Sequence, residues 1–410
     1  MRILHTSDWH LGQRLVNQDR HDEHKAALYW LAKTIVTQNV EVLLVAGDIF
    51  DTINPSHEAR KLYFEFLAAI VKSSSCRHIV VTGGNHDSAL MLNASKQLVS
   101  LLNIWVVGEA TRPITDEVIY LKNDQNETEL IVAAVPFLRE RDLRAAVAGE
   151  TTADRITAIR TGIAAHYQTL ADEIAAKNLE NAPVVAMGHL CVTNTKDNKE
   201  QPSAIYARSL DNIEGDTFSS VFNYVALGHI HLPQAVNTAK TARYSGSIIP
   251  LSFTEYRDEK SVVLIDFDKK NKGLIPVTQL LPIPTFRKLR RLQGTMDELK
   301  TQLAALQPAR EGVTSWVEIS ILTDKILVNP QQDLTDFVAN LPVDILKCRI
   351  EQIGETPSLL TTETTSQSLL AELRTEDVFE QLLAASSLND DEKKITYQAF
   401  LELYDASNAG

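Results

Sequence analysis

The chain has 410 residues, 40 basic and 53 acidic side chains, and a formal net charge of −13. That length suggests two or three domains at roughly 100–200 residues each. A composition of 44% hydrophobic and 23% charged residues excludes a disulfide-stapled mini-protein, a collagen-like chain and a wholly disordered one. The acid is concentrated at one end: Glu351 to Gly410 holds 12 acidic and 3 basic residues, which leaves −4 for the first 350. The acidic total therefore does not exclude a phosphate-rich partner, although phosphate binding needs local Lys or Arg.

The three cysteines, Cys76, Cys191 and Cys348, are far apart and form no C-x-x-C. They give neither a disulfide framework nor a thiolate metal site, and fit reduced thiols in a cytoplasmic protein. The N-terminus reaches Asp8 too soon for a signal peptide. No apolar run reaches the roughly 18 residues of a membrane span. The expectation is a soluble, cytoplasmic protein with no membrane partner.

In chain order, Arg2–Thr6 is a short apolar strand, and Glu23–Gln38 carries apolar residues at helical spacing. Val40–Ala46 is a second strand, Pro55–Lys72 a helix with proline in its first turn, and His78–Thr82 a third strand. Strand, helix, strand, helix, strand predicts parallel crossovers in a layered α/β domain. Further strands follow at Leu130–Val135, Pro183–Met187, Tyr224–Leu227 and Ser261–Phe267, with a long helix over Thr152–Lys177. Polar Leu190–Ser209 reads as a loop. Pro276, Pro282 and Pro284 mark a boundary. Beyond it a second βαβαβ pattern covers Phe286–Leu292, Thr295–Leu306, Trp316–Leu322, Asp333–Leu341 and Val343–Ile350. A Thr- and Ser-rich linker and two amphipathic helices, about Glu376–Ala385 and Asp390–Tyr404, end the chain.

The chemistry sits at the strand ends. Asp8-Trp9-His10 follows the first strand, Gly47-Asp48-Ile49-Phe50-Asp51 the second, and Gly84-Asn85-His86-Asp87 the third. Gly188-His189 and Gly228-His229-Ile230-His231 follow later ones. Ligands of parallel α/β sheets bind beyond the carboxyl ends of strands. Asp, Asn and His offer oxygen and nitrogen donors without thiolate, which suits Mn²⁺, Mg²⁺, Fe²⁺ or Zn²⁺. Asp8, His10, Asp48, Asn85, His189, His229 and His231 are too many donors for one ion that must also hold substrate. They suit two ions about 3.5–4 Å apart sharing one carboxylate. Two such ions against two carboxylates leave about +2 to attract a phosphodiester oxygen. The other histidines, His5, His21, His24, His57, His78 and His166, read as packing or surface residues.

The ordered set D-x-H, G-D-x-x-D, G-N-H-D, G-H and G-H-x-H resembles that of the calcineurin-like metallophosphoesterases. Five longer stretches narrow the resemblance to the nuclease subunits of bacterial double-strand-break repair complexes. They are His5–Gly12, Val45–Thr52, Pro136–Arg139, Ala226–His231 and Tyr244–Phe253.

The resemblance implies a layered β-sandwich core flanked by helices. It implies one metal on Asp8, His10, Asp48 and His231, and a second on Asp48, Asn85, His189 and His229, both Mn²⁺, with Mg²⁺ or other divalent ions possible. His86 would face the scissile phosphate, stabilising transition-state charge or protonating the departing oxygen. Archaeal relatives have histidine where this chain has Asp51. Asp51 is instead expected to orient His86 or a ligand. The implied domains are a nuclease domain (1–275), an α/β capping domain (282–351), a linker (352–370) and a C-terminal helix pair (371–410). Arg139, Arg141, Arg287, Lys288, Arg290 and Arg291 are the DNA-contact candidates. The helix pair would dock on an SMC-like ATPase. Its apolar faces run through Val378, Phe379, Leu382 and Leu383, and through Ile395, Tyr397, Phe400, Leu401, Leu403 and Tyr404. Helices Pro55–Lys72 and Met91–Leu102 would form a homodimer seam within a heterotetramer, with Leu62, Phe66, Leu98 and Leu101 as candidates. The implied activity is metal-dependent double-strand exonuclease and hairpin endonuclease action in DNA repair, recombination and replication. The alternative on the same core is hydrolysis of small phosphoesters or cyclic nucleotides.

Overall fold

The structure is a computed structural model. It describes residues 1–145, 147, 149–178, 181–192, 218–236, 239, 241–267, 275–325 and 327–352, and positions 393, 396, 397 and 400. Residues 1–321 and 327–350 form one compact unit, and 322–326 with 351–410 a second.

In the first part of the chain come β1 (Arg2–Thr6), β2 (Arg14–Leu15), β3 (Gln18–Asp19), α1 (His21–Thr37), β4 (Val42–Ala46), α2 (His57–Ser73), β5 (His78–Thr82), α3 (Ala89–Asn93), α4 (Lys96–Ser100) and β6 (Ile104–Val107). Then follow β7 (Val118–Lys122), β8 (Thr128–Ala134), α5 (Glu140–Leu143), α6 (Thr152–Lys177), β9 (Val184–His189), β10 (Tyr224–Gly228), β11 (Gln234–Ala235), β12 (Ala242–Tyr244), β13 (Ser261–Asp266) and β14 (Val277–Pro282). The last group is β15 (Leu289–Gly294), α7 (Met296–Ala304), β16 (Ser315–Thr323), α8 (Pro330–Val338) and β17 (Val343–Gln352).

Two six-stranded sheets, ordered β14-β13-β1-β4-β5-β6 and β11-β12-β10-β9-β8-β7, share a dry core. Strands β1, β4, β5 and β6 run parallel, as do β8, β9, β10 and β12. That core is built from alternate residues such as Ile3, Val42, Leu44, Val132, Val185 and Ala226. The opposite residues of β4 and β5, Leu43, Val45, Ile79 and Val81, pack with Leu28, Leu31, Ile35 and Phe66 of α1 and α2. On the far side Ile163, Tyr167 and Leu170 of α6 cover the second sheet. Strands covered on both faces explain the unbroken apolar runs of β4 and β5. The result is a sandwich of two sheets between helical layers.

After β14 the chain enters a three-stranded sheet, β15-β16-β17, whose core includes Leu299, Leu303, Val317, Ile319 and Leu334. Strands β15 and β16 pair in parallel, with Leu289 opposite Trp316.

Several expectations need correction. The helix expected over Met91–Leu102 is two short helices, α3 and α4, broken between Asn93 and Lys96. Leu62 and Phe66 are core residues of the helical layer, because their side of α2 faces the first sheet. Leu98 and Leu101 do stand exposed, at 71% and 80%. Leu190, Cys191 and Val192, read as the start of a polar loop, are buried in the second core; residues 193–209 lie outside the described set. So do most of the expected linker and terminal helix pair, including Val378, Phe379, Leu382, Leu383, Ile395, Leu401, Leu403 and Tyr404. Tyr397 and Phe400 are helical, their ring centroids 6.4 Å apart.

Candidate metal centre

The candidate ligands lie at the carboxyl ends of β1, β4, β5, β9 and β10, His189 closing β9 and the others in the loops that follow their strands. Those loops are tied to one another by backbone bonds: Asp8 N–H donates to Gly47 O (3.1 Å) and His10 N–H to Asp48 O (3.0 Å). His229 N–H donates to Asp8 Oδ1 (2.9 Å) and His86 N–H to Asp48 Oδ1 (3.0 Å). Ser7 hydrogen-bonds the other Asp8 oxygen and Ser245 (2.8 Å).

Asp48 lies at the centre. Its Oδ2 is 3.4 Å from His10 Nε2 and 3.3 Å from His189 Nε2. Asn85 Oδ1 lies 3.0 Å from His189 Nε2 and 3.1 Å from His229 Nδ1. The rings of His10 and His231 are 5.1 Å apart, and those of His189 and His229 are 5.2 Å apart. Ligand atoms of Asp8, His10 and His231 lie within 4.8 Å of one another, as do those of Asp8, Asp48 and His189. All seven candidates thus converge. His229 and His231 do so through the loop after β10, with His229 at φ 100°.

The donor chemistry fits divalent ions. Buried His10 Nε2 has no hydrogen-bond partner, although its Nδ1 meets Asp51 Oδ1 at 3.2 Å. A lone pair held in place without a donor is what a cation requires, and the surrounding donors are oxygens and imidazoles. Burial disfavours ionised Asp48, but His189, His10 and His86 outweigh it and hold the carboxyl far below its usual range. Burial likewise opposes charge on His189, yet Asp48 and Asp8 bring it up to about 9. His229, governed by burial, falls to about 3. Such a split of neighbouring titratable groups marks a functional site.

His86 stands exposed at the mouth, its ring 4.9 Å from that of His10. Its Nδ1 donates to the Asp51 carbonyl at 2.8 Å. Asp51 therefore acts twice, holding His10 with its carboxylate and His86 with its backbone.

Two supports carried no assignment from sequence. Asp87 is buried and accepts from the N–H groups of Ile49, Phe50 and Gly84 at 2.9–3.1 Å, pinning the β4 loop to the β5 loop. Burial, then the charge of Asp48, raises its pKa to about 6. Glu255 Oε1 meets His231 Nδ1 at 3.3 Å, and its Oε2 takes a 2.7 Å bond from Lys260. The G-N-H-D motif was a signal for Asp87. Glu255 had none, being 24 residues from its partner.

The basic candidates divide. Arg139 and Arg141 flank the start of α5, just after Phe137, whose ring is 6.3 Å from that of His189. Arg141 is 71% exposed. Arg287 is tied down just before β15: it bonds Glu23 of α1 (3.0 Å) and the Thr314 carbonyl (2.8 Å) and stacks over Trp316 at 4.2 Å. Arg291 pairs with Glu318 at 2.9 Å, and Arg290 bonds the Leu289 carbonyl at 2.8 Å. Lys288 is half-buried.

A two-sheet sandwich with this histidine–carboxylate centre is the architecture of a calcineurin-like phosphoesterase, and the family model of that description matches residues 1–233. A second model, described as the Type 5 capsule protein repressor C-terminal domain, matches residues 285–387. Curated relatives are named as the SbcD component of the nuclease SbcCD. The protein of Escherichia coli K12 is 32% identical over 96% of this chain and 95% of its own length. That of Rhodobacter capsulatus is 35% identical over 75% of each chain, and that of Bacillus subtilis 31% over 65% of this chain and 66% of its own. The chain belongs to the SbcD nuclease family of calcineurin-like phosphoesterases, and its chemistry is divalent-metal-dependent phosphoester hydrolysis.

Proposed function

We propose that this chain is the nuclease subunit of an SbcCD-type complex, hydrolysing DNA phosphodiester bonds at double-strand ends and hairpins. The convergence of seven oxygen and nitrogen donors, with buried Asp48 at their centre, carries this reading. Asp8, His10, Asp48 and His231 would hold one Mn²⁺, and Asp48, Asn85, His189 and His229 the other. Bound divalent ions supply Lewis-acid polarisation of the phosphodiester and a nucleophilic water at neutral pH.

The protein's own groups do the rest. His86 is the exposed imidazole at the mouth, and its Nδ1–H is committed to the Asp51 carbonyl, so Nε2 is the atom that faces substrate. Protonated, that nitrogen stabilises charge on the phosphoryl oxygens and delivers a proton to the departing oxygen. Asp51 aims His10 and Glu255 aims His231, so the ligand rings do not have to reorganise when metal arrives.

Residues 1–275 form the nuclease domain, 282–351 a capping domain beside it, 352–370 a linker and 371–410 a docking element for an SMC-like ATPase. Assembly is a heterotetramer built on a nuclease homodimer, supported by exposed Leu98 and Leu101. Arg139 and Arg141 are the phosphate contacts nearest the metals. The assay is hairpin and blunt duplex DNA with Mn²⁺ beside a small chromogenic phosphate ester. DNA cleavage is expected; hydrolysis of the ester alone would place the chain with the small-phosphoester enzymes. Removing the last 45 or so residues is expected to abolish co-purification with the ATPase.

A further inference from the structure

Glu255 and Lys260 are both buried, at 1% and 5% exposure, beside a wall of the metal centre. The two carboxylate oxygens of Glu255 have different tasks. Oε1 faces His231 Nδ1 at 3.3 Å and accepts a longer bond from the Ser252 hydroxyl at 3.4 Å. Oε2 accepts from Lys260 Nζ at 2.7 Å and from the Leu251 N–H at 3.1 Å. Lys260 Nζ also donates to the His231 backbone carbonyl at 2.9 Å and lies 3.5 Å from Asp258 Oδ2. His231 is thus held at its ring by the carboxylate and at its backbone by the ammonium. Lys260 is in turn fixed by its neighbours: its carbonyl accepts from Ile283 N–H at 2.8 Å, at the start of the passage into the small domain.

We propose that Glu255 is a positioning residue for the metal centre, and that Lys260 fixes which of its oxygens faces His231. An acceptor at Nδ1 selects the imidazole tautomer with the proton on Nδ1, leaving Nε2 with the free lone pair for a metal. A buried ion pair of this kind is costly unless its remaining bonds are made. Here contacts to the His231 ring, the His231 carbonyl, the Leu251 N–H, the Ser252 hydroxyl and Asp258 complete it, and two of these end on the same histidine. This rests on the assignment of His231 as a ligand.

Glu255→Gln tests it with almost no change of volume. The amide has one acceptor oxygen. Two donors, one of them cationic, stand on the Oε2 side, so the oxygen goes there and the NH₂ group faces His231. That favours the opposite tautomer, with the proton on Nε2, which cannot bind metal. Mn²⁺ titration by calorimetry, with electron paramagnetic resonance to report a coupled ion pair, is the measurement. Wild type should bind two ions. Glu255→Gln should keep one at near wild-type affinity, bind the other about 10–100-fold more weakly, and lose the coupled signal. Lys260→Met, which releases Glu255 from its fixed orientation, should weaken the same ion.

Two-ion binding by Glu255→Gln at wild-type affinity would overturn the proposal. Failure of wild type itself to bind two ions would instead overturn the ligand assignment. Nitrogen-15 shifts of His231 in the metal-free protein give an independent check: unchanged tautomer in Glu255→Gln also refutes the role.

Discussion

Asp8, His10 and Asp48 have φ of 51°, 46° and 50°, and His229 has 100°. Non-glycine residues in that region are uncommon and cost of order 1–3 kcal/mol each, so they persist where the surroundings enforce them. Here the enforcement is the mutual bonding of the loops. The glycines beside them answer a different need. A Cβ on Gly228 would lie 1.9 Å from the Ala46 carbonyl oxygen, and one on Gly84 would lie 2.1 Å from Asp48 Oδ1. The motif glycines exist because ligand-bearing loops approach closer than a methyl group allows. His86 lies next to this strained set, near His10 and Asp48, but its ring is exposed and held by one hydrogen bond. His86→Gln is therefore expected to leave metal content unchanged while cleavage falls by about 10²–10⁴-fold. Metal analysis of the purified variant beside a Mn²⁺-dependent nuclease assay checks it. Loss of metal along with activity would make His86 a ligand instead. These residues could be read in the sequence because each sits within a few positions of a strand end. Glu255, Lys260 and the tying role of Asp87 could not, since their partners come from other loops.

The strands and helices were legible where one physical signal dominated. An unbroken apolar run gave β4, the Ile-Val-Val of β5 gave its strand, and the long helix expected over Thr152–Lys177 is α6 to the residue. The basic run at 287–291 was ambiguous, because clustered arginines suit phosphate and carboxylate equally. The structure resolves it for Arg287. Its guanidinium joins the segment just before β15 to α1 through Glu23, which also takes a 2.6 Å bond from Arg20. This clasp holds the start of the three-stranded sheet against α1. Arg287→Ala should destabilise the chain by about 2 kcal/mol, as expected for hydrogen bonds to a charged group. The cost stays below the roughly 3–5 kcal/mol of a stranded buried charge, because Glu23 keeps Arg20. Urea unfolding measures it, and a change under about 0.5 kcal/mol would mean that the clasp does not hold the three-stranded sheet to α1.

At the scale of the whole molecule, folding buries several imidazoles away from the proposed ligands. His24 on α1 is 1% exposed, and burial, then the nearby Arg20, lowers its pKa from 6.5 to about 3. His5 in β1 falls to about 3 as well, chiefly by burial. The unfolded chain binds a proton at each near pH 6.5, and the folded chain does so only near 3. Stability from this source is therefore complete above about 6.5 and drains away as pH falls toward 3, at about 1.4 kcal/mol per pH unit for each histidine. The proposed ligands titrate in both directions, so a single acid-unfolding curve cannot isolate the effect. A difference can. His24→Leu fills similar space and has no site to protonate, so it should unfold at nearly the wild-type urea concentration at pH 8. Measured at pH 8, 7, 6 and 5, the two proteins should diverge only below about 6.5, the variant gaining roughly 1.4 kcal/mol per unit relative to wild type. Parallel curves would show that His24 takes up its proton in the folded chain as readily as in the unfolded one.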